Sequence, residues 1–190
     1  MLFKYVNLLN NCIPEQALEL ILSFKNFESL PATVGSGENN IVDDARTASV
    51  IQIPKELTNN ISNALIGLYN NELKDLYQRD IVHVEIPQYL HYNEGGKYIP
   101  HNDSEELKNN KLTKVADRDL TIIVYLNDDY LGGELEMVDW GVTFKPKRGS
   151  VLCFPSYIEF THQVHPVLHG NRYNIVTWMK LNDYIYPRPY

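Results

Sequence analysis

The chain has 190 residues, enough for a single core, and its 44% hydrophobic and 22% charged content is that of a globular protein rather than a disordered or fibrous one. A formal net charge of −7 argues against a nucleic-acid binder, whose phosphate contacts need a basic surface; the one close basic cluster, Lys145, Lys147 and Arg148, reads as a solvated turn. No apolar run is long enough to span a bilayer, and the N-terminal MLFKYVNLLNNCIPEQ lacks a signal-peptide core, so a cytoplasmic location is expected (a host cytoplasm for a virus-encoded chain), with Cys12 and Cys153 both reduced.

In chain order, residues 14–27 carry Leu18, Ile21, Leu22 and Phe27 at helical spacing behind Pro14, which suits a first turn. Residues 32–45 are rich in Gly, Asn and Asp and read as a loop. TASVIQI over 47–53 reads as a strand, and Pro54 opens a longer helix to about Leu76, with Ile61, Leu65, Leu68 and Tyr69 on one face. From residue 81 the period shortens. IVHVEI, YLHY, LTIIVYLN, GELEMV, GVTFKP, SVLCFP and YNIVTWMKL are short segments rich in β-branched and aromatic residues, punctuated by turns at 93–96, 132–133, 146–149 and 169–171. Between them, 104–118 mixes Lys with acidic residues and reads as a mobile surface loop. Cys153 in VLCFP reads as buried filler and Trp178 as a core aromatic. Trp140 is expected to cover a barrel edge, and YIYPRPY over 184–190 forms an aromatic tail.

The pattern predicts a mainly β protein with flanking helices. Its core would be a double-stranded β-helix of the jelly-roll, cupin-like kind, about eight strands, with the N-terminal helices packed on one face. One domain is expected over 1–190: a helical support region over 1–80, a jelly-roll core over 81–181 and a tail over 182–190.

Chemistry concentrates in His101-Asn102-Asp103, His162 and Arg172. A ferrous oxygenase site needs two imidazoles and one carboxylate on one face of the metal, which leaves positions for co-substrate and dioxygen. His and Asp at i and i+2 on an extended segment project to one side, so a distant strand must bring the third ligand. Taken alone, H-x-D arises easily by chance in a chain with six His. Its weight comes from the elements around it: YNEGGKYIPHND, then TIIVYLN, GGE, PKRGSVLCFP and HQVHPVLHGNR.

In that order the elements resemble the prolyl 4-hydroxylase-like branch of the Fe(II)- and 2-oxoglutarate-dependent dioxygenases, over about residues 46–181, and Arg46-Thr47-Ala48-Ser49 resembles a segment that the family places before its long helix. The resemblance implies that His101, Asp103 and His162 bind Fe(II) and that Arg172 pairs with the distal carboxylate of 2-oxoglutarate, a planar contact suited to guanidinium. Tyr125 and Tyr92 match positions whose hydroxyls help to hold the co-substrate. Collagen-type prolyl hydroxylases often carry Lys where this chain has Arg172. The H-x-V-x-P-V pattern selects His162 over His165, whose three-residue shift inverts its facing. His83, His91 and His169 read as packing or rim residues.

The implied activity is hydroxylation of an unactivated C–H, of a peptidyl proline first, with O2 as co-substrate, succinate and CO2 as products and ascorbate as a possible reductant. The implied partner is a proline-containing peptide or protein, with neither nucleic acid nor membrane. Three readings compete: an oxygenase of this class acting on a free amino acid or other small molecule, a non-catalytic cupin-type binding module, and a metalloenzyme that uses no 2-oxoglutarate. Only the first of these requires Arg172.

Overall fold

The segment LTIIVY is buried along its whole length, and the reason organises the molecule. In the computed structural model, which describes residues 2–34 and 41–186, this strand lies mid-sheet with both faces covered. Ile122 and Val124 point into a core shared with the helices, whereas Ile123 and Tyr125 point into the jelly-roll interior.

The chain begins with a 3-10 turn at Leu2–Tyr5, then β1 (Asn7–Leu9), α1 (Glu15–Leu22), β2 (Ser29–Pro31), β3 (Ser49–Ile51) and α2 (Lys55–Leu68). A π-helical turn at Tyr69–Leu73 leads into α3 (Lys74–Tyr77). Next come β4 (Ile81–Val84), β5 (Gln88–Tyr92), β6 (Tyr98–His101), β7 (Glu105–Lys108), β8 (Lys111–Lys114) and β9 (Leu120–Tyr125). The last group is β10 (Leu131–Gly132), β11 (Leu135–Met137), β12 (Val142–Phe144), β13 (Val151–Pro155), β14 (His162–Val164), β15 (Val167–His169) and β16 (Arg172–Leu181).

A large sheet runs β1-β13-β9-β16-β5-β3-β2, with β4 also paired to β16, and a smaller sheet runs β12-β11-β14-β6. This is the expected jelly-roll architecture with helices on one side. The helical core sets Leu18, Ile21, Ile61, Leu65 and Tyr69 against the outer face of the large sheet. The second core, with Leu90, Leu152, Phe154 and Val176, fills the interior. The region read as helical support also supplies β1, β2 and β3, which extend the large sheet at both edges. No helix among the described residues is long and apolar enough to cross a membrane.

Several local expectations are corrected. The first helix stops at Leu22 rather than Phe27: the Ser23 hydroxyl donates to the Leu20 carbonyl, the chain turns, and Phe27 lies half-exposed with its ring against Phe24. The early strand is limited to Ser49–Ile51. Residues 104–118 form a β-hairpin, because Asn109 and Asn110 both adopt positive φ (51° and 58°), the conformation of a two-residue turn that fits strand twist. The Ile158 amide donates to Glu105 Oε2 at 3.0 Å, and Lys114 pairs with buried Asp119 at 2.8 Å, so the hairpin is tied to the body. Of the loop read over 32–45, Val34 pairs with Ile41, and 35–40 lie outside the described residues. Of the tail, Tyr184 and Tyr186 pack on the body, and 187–190 lie outside. The basic turn is neutralised: Arg148 reaches Glu15 and Glu19 on α1, and Lys145 reaches Glu134.

Candidate active site

His101 ends β6, and His162 begins β14. These strands pair antiparallel with His101 directly opposite His162, so sheet register brings a residue 61 positions downstream to the H-x-D segment. The ring centroids are 4.3 Å apart. Asp103 follows the strand end, where its amide donates to the Ser156 carbonyl at 3.2 Å and Asn102 Oδ1 accepts from the amides of Ser104 and Glu105. One donor atom from each of His101, Asp103 and His162 lies within 4.8 Å of the others, and these three are the residues the sequence singled out. His101 Nε2 is 3.8 Å from Asp103 Oδ1, and His162 Nε2 is 3.8 Å from Asp103 Oδ2.

Both imidazoles are held from behind. His101 Nδ1 donates to the Ile99 carbonyl at 2.8 Å and His162 Nδ1 to the Phe160 carbonyl at 3.0 Å. A carbonyl only accepts, so the proton sits on Nδ1 and the Nε2 lone pair faces the cluster. Burial, followed by the neighbouring His162, pushes His101 down to about 3, so its imidazole is neutral and ready to ligate near pH 7. Burial alone would raise the Asp103 carboxyl, but His162, His101 and the Thr121 hydroxyl outweigh it and hold it below its usual value.

Arg172 opens β16 and is 1% exposed, the largest fully buried side chain described. Its guanidinium carbon lies 4.9 Å from the Tyr92 ring and 5.2 Å from the Tyr125 ring. Tyr92 therefore meets Arg172 through its ring. Arg172 Nε and Nη2 make no hydrogen bond of good geometry, and neither does the Tyr125 hydroxyl, whose interaction is with the Arg172 guanidinium beside it. Burial pushes Tyr125 up to about 12, which keeps it a phenol able to donate. Arg172 and the three-residue cluster line one cavity of about 210 Å³, together with Leu90, Ile123 and Val176.

The other histidines stay away from the cluster. His165 Nε2 bonds Glu136 at 2.7 Å, His169 pairs with Glu94 on the surface, His91 stacks on Tyr173, and His83 is exposed. Trp140 packs edge-on against Phe160. Trp178 is a buried core aromatic as expected, and its two-residue period from Arg172 also turns it into the cavity, where the Arg118 guanidinium covers its ring at 3.7 Å. Arg118 forks onto Glu85 at 2.5 and 2.8 Å. Sequence reading gave no role to Arg118, Glu85, Thr121, Asn174 or Tyr98, nor to Arg46, which lies over the Tyr98 ring at 5.1 Å. Tyr98 in turn stacks on His101 at 3.5 Å. Period-two facing from Arg172 would have found Asn174, but the pairs between residues distant in sequence carry no local signal.

A jelly roll with two histidines, one carboxylate and a buried arginine around one cavity defines a metal-dependent oxygenase-type site. Residues 87–180 match the family model described as the 2OG-Fe(II) oxygenase superfamily. The chain is similar to the probable prolyl 4-hydroxylase 3 of Arabidopsis thaliana, 30% identical over 131 residues, covering 54% of this chain and 44% of the relative. It is also similar to prolyl 3-hydroxylase 2 of Rattus norvegicus, 39% identical over 70 residues, covering 34% and 10%. The chain thus spans less than half the length of the curated relatives it matches. Among solved structures, its fold is similar to a viral collagen prolyl hydroxylase from Paramecium Bursaria Chlorella virus-1 in a 2OG complex (TM-score 0.65, 19% identity, 92% of this chain and 95% of that one). It is similar as well to a prolyl hydroxylase from Trichoplax adhaerens in complex with a hypoxia inducible factor peptide fragment (TM-score 0.70, 20% identity, 93% and 84%).

The residues fit the superfamily's two cofactors. Two neutral nitrogen donors and one carboxylate suit Fe(II). The Nε and Nη2 of Arg172 and the neighbouring Tyr125 phenol, buried without a hydrogen bond of good geometry, call for an anionic, hydrogen-bond-accepting ligand such as 2-oxoglutarate.

Proposed function

We propose that this chain is an Fe(II)- and 2-oxoglutarate-dependent dioxygenase that hydroxylates a proline in a peptide or protein. One observation carries the reading: a three-donor metal cluster and an arginine with an unsatisfied two-donor edge open into the same cavity of about 210 Å³. A binding module has no need to bury an uncompensated guanidinium beside such a cluster.

His101, Asp103 and His162 would hold the metal; the Nδ1–carbonyl bonds and the Thr121 hydroxyl fix their orientation. Arg172 and Tyr125 would hold the distal carboxylate of 2-oxoglutarate. Leu90, Ile123 and Val176 would give the cavity one apolar wall beside its polar lining. When bound, the metal and 2-oxoglutarate supply dioxygen activation coupled to decarboxylation, so that substrate gains one oxygen atom and succinate and CO2 leave. Ascorbate would serve as external reductant. Arg118, Trp178 and Arg46, which line the same cavity around the cluster, would receive the peptide.

The test is anaerobic addition of 2-oxoglutarate to the Fe(II)-loaded protein, followed by visible absorption, with His162→Ala and Arg172→Ala as controls. A band that needs His162 and weakens without Arg172 is the expected result. Proline-containing peptides are then screened for a mass gain of one oxygen with matching succinate release. A folded, iron-loaded protein with no band would move the binding-module reading into first place. Turnover of free amino acids but of no peptide would replace the substrate class.

A further inference from the structure

We propose that Asn174 is a positioning residue for the co-substrate: it locks the Arg172 guanidinium so that only the Nε/Nη2 edge meets the carboxylate. The inference rests on the dioxygenase reading above and adds to it the residue that fixes how the anion is gripped.

Arg172 and Asn174 are two residues apart on β16 and so share a face. Arg172 Nη1 donates to Asn174 Oδ1 at 2.6 Å. Arginine offers donors only, so the amide must turn its oxygen to Nη1, and Nδ2 is directed away from the guanidinium. Asn174 is 2% exposed and sits between Leu90 on β5 and Tyr125 on β9, its cross-strand partners. An amide packed between two paired strands has little freedom to change rotamer. It is therefore a stiff anchor for one end of the fork.

The consequence is directional. With Nη1 committed, the unpartnered donors are Nε and Nη2, which lie on one edge of the planar group. Two parallel N–H bonds from one edge are the geometry that a carboxylate accepts in bidentate fashion. Without the anchor, the guanidinium could turn and offer its Nη1/Nη2 end instead, shifting the carboxylate relative to the metal cluster. Chemistry also favours an amide here over a carboxylate. Asparagine accepts the bond and leaves the arginine's charge uncompensated, whereas aspartate would neutralise the cation and compete with the ligand. Among the described residues no carboxylate forms an ion pair with Arg172, and it lines the cavity with its charge available.

The experiment compares two ligands on the Mn(II)-loaded protein by calorimetry. 2-Oxoglutarate chelates the metal and reaches Arg172; oxalate chelates the metal and lacks the distal carboxylate. Asn174→Leu, which keeps the branched heavy-atom shape and removes the acceptor, is expected to weaken 2-oxoglutarate about tenfold with oxalate unchanged. Asn174→Asp, closer still in shape, is expected to weaken 2-oxoglutarate more than the leucine does, and it carries the comparison alone if the leucine variant does not fold. In the Fe(II) enzyme the same variants raise the 2-oxoglutarate KM with kcat nearly constant. Unchanged 2-oxoglutarate affinity in a folded variant overturns the proposal. So does equal loss for both ligands, which would assign Asn174 to the metal centre instead. A wild-type protein that binds oxalate but not 2-oxoglutarate would overturn the co-substrate reading itself, a failure visible before any variant is made.

Discussion

Thr121 donates its hydroxyl to Asp103 Oδ2 at 2.6 Å and lies 2.9 Å from the Ser156 hydroxyl. Its one proton goes to the carboxylate, so Ser156 must donate to Thr121, and the three groups form a directed chain that ends on the proposed metal ligand. Thr121 is the first residue of TIIVYLN, and β9 delivers it to the interior face opposite the helical core.

Replacing Thr121 with Val keeps the shape and removes this bond. Outer groups that orient a ligand typically change metal affinity by about ten- to a hundredfold. We expect Thr121→Val to weaken Fe(II) or Mn(II) binding by about tenfold, read by competition with a chelator of known affinity. Unaltered metal affinity would show that backbone placement alone orients Asp103.

The metal-free protein should lose stability on mild acidification. His101 sits at about 3 in the fold, far below an ordinary imidazole, chiefly through burial and then through His162. Below about pH 6.5 the unfolded chain takes a proton that the folded chain refuses, so stability falls with pH by up to about 1.4 kcal/mol per unit from this site. Asp103 works in the same direction at lower pH: its folded value is depressed, so its contribution is present above the ordinary carboxylate range and is lost as pH falls through the folded value. Urea unfolding of metal-free protein between pH 7 and 5 measures the slope, and His101→Leu should flatten it. A slope identical in the variant would assign the effect to other groups.

Arg118 covers Trp178 at 3.7 Å and is held there by Glu85. The pair lines the cavity, with Trp178 six residues beyond Arg172 on the same strand, and Trp178 Nε1 is buried without a partner, a donor available to an incoming carbonyl. Arg118→Met should raise the KM for a peptide substrate by about tenfold and affect 2-oxoglutarate less, since Arg172 and its aromatic neighbours are untouched; because Arg118 Nη1 also donates to the Asp103 carbonyl at 3.3 Å, metal affinity is measured alongside. Loss of 2-oxoglutarate affinity in this variant would place Arg118 on the co-substrate side of the cavity.

The legible part of this molecule was the part written in short periods. The short β-branched and aromatic runs of TIIVYLN and of the β16 segment gave strands, and the 3.6-residue spacing of Ile61, Leu65 and Leu68 gave the long helix, including its continuation through the π-turn. H-x-D, His162 and Arg172 were readable because order and spacing survive in the chain. The site's supporting contacts were not. Arg118–Trp178, Arg46–Tyr98 and Thr121–Asp103 join residues 18 to 60 positions apart through strand pairing, which no local pattern encodes. The hairpin at 105–114 was missed for another reason: its charged sequence resembles a loop, and only the left-handed Asn109-Asn110 pair reveals the turn.

Two glycines with opposite surroundings give the last prediction. Gly67 lies near the end of α2 at φ within the helical range, and a Cβ there meets nothing within 4 Å. Gly67→Ala should therefore stabilise the protein by about 0.5–1 kcal/mol, by reducing the freedom of the unfolded chain, and raise Tm by a few degrees. Gly132 has φ +72°, and a Cβ there would stand 2.3 Å from the Pro166 carbonyl oxygen and 2.8 Å from the Leu168 amide nitrogen, both backbone atoms. Relief requires separating β10 from β15, whose pairing places Gly132 opposite Val167. Gly132→Ala should cost about 2–4 kcal/mol, combining left-handed strain with a clash that no side chain can absorb. Because Val167 also packs at Gly133, whose own Cβ position is 3.1 Å from Arg172 Cδ, the damage should reach the co-substrate site and weaken 2-oxoglutarate binding in whatever fraction stays folded. Thermal unfolding of the two variants with and without 2-oxoglutarate checks both signs. A Gly132→Ala protein as stable as wild type would mean that the β10–β15 turn yields freely, and that its glycines are not what holds the wall beside Arg172.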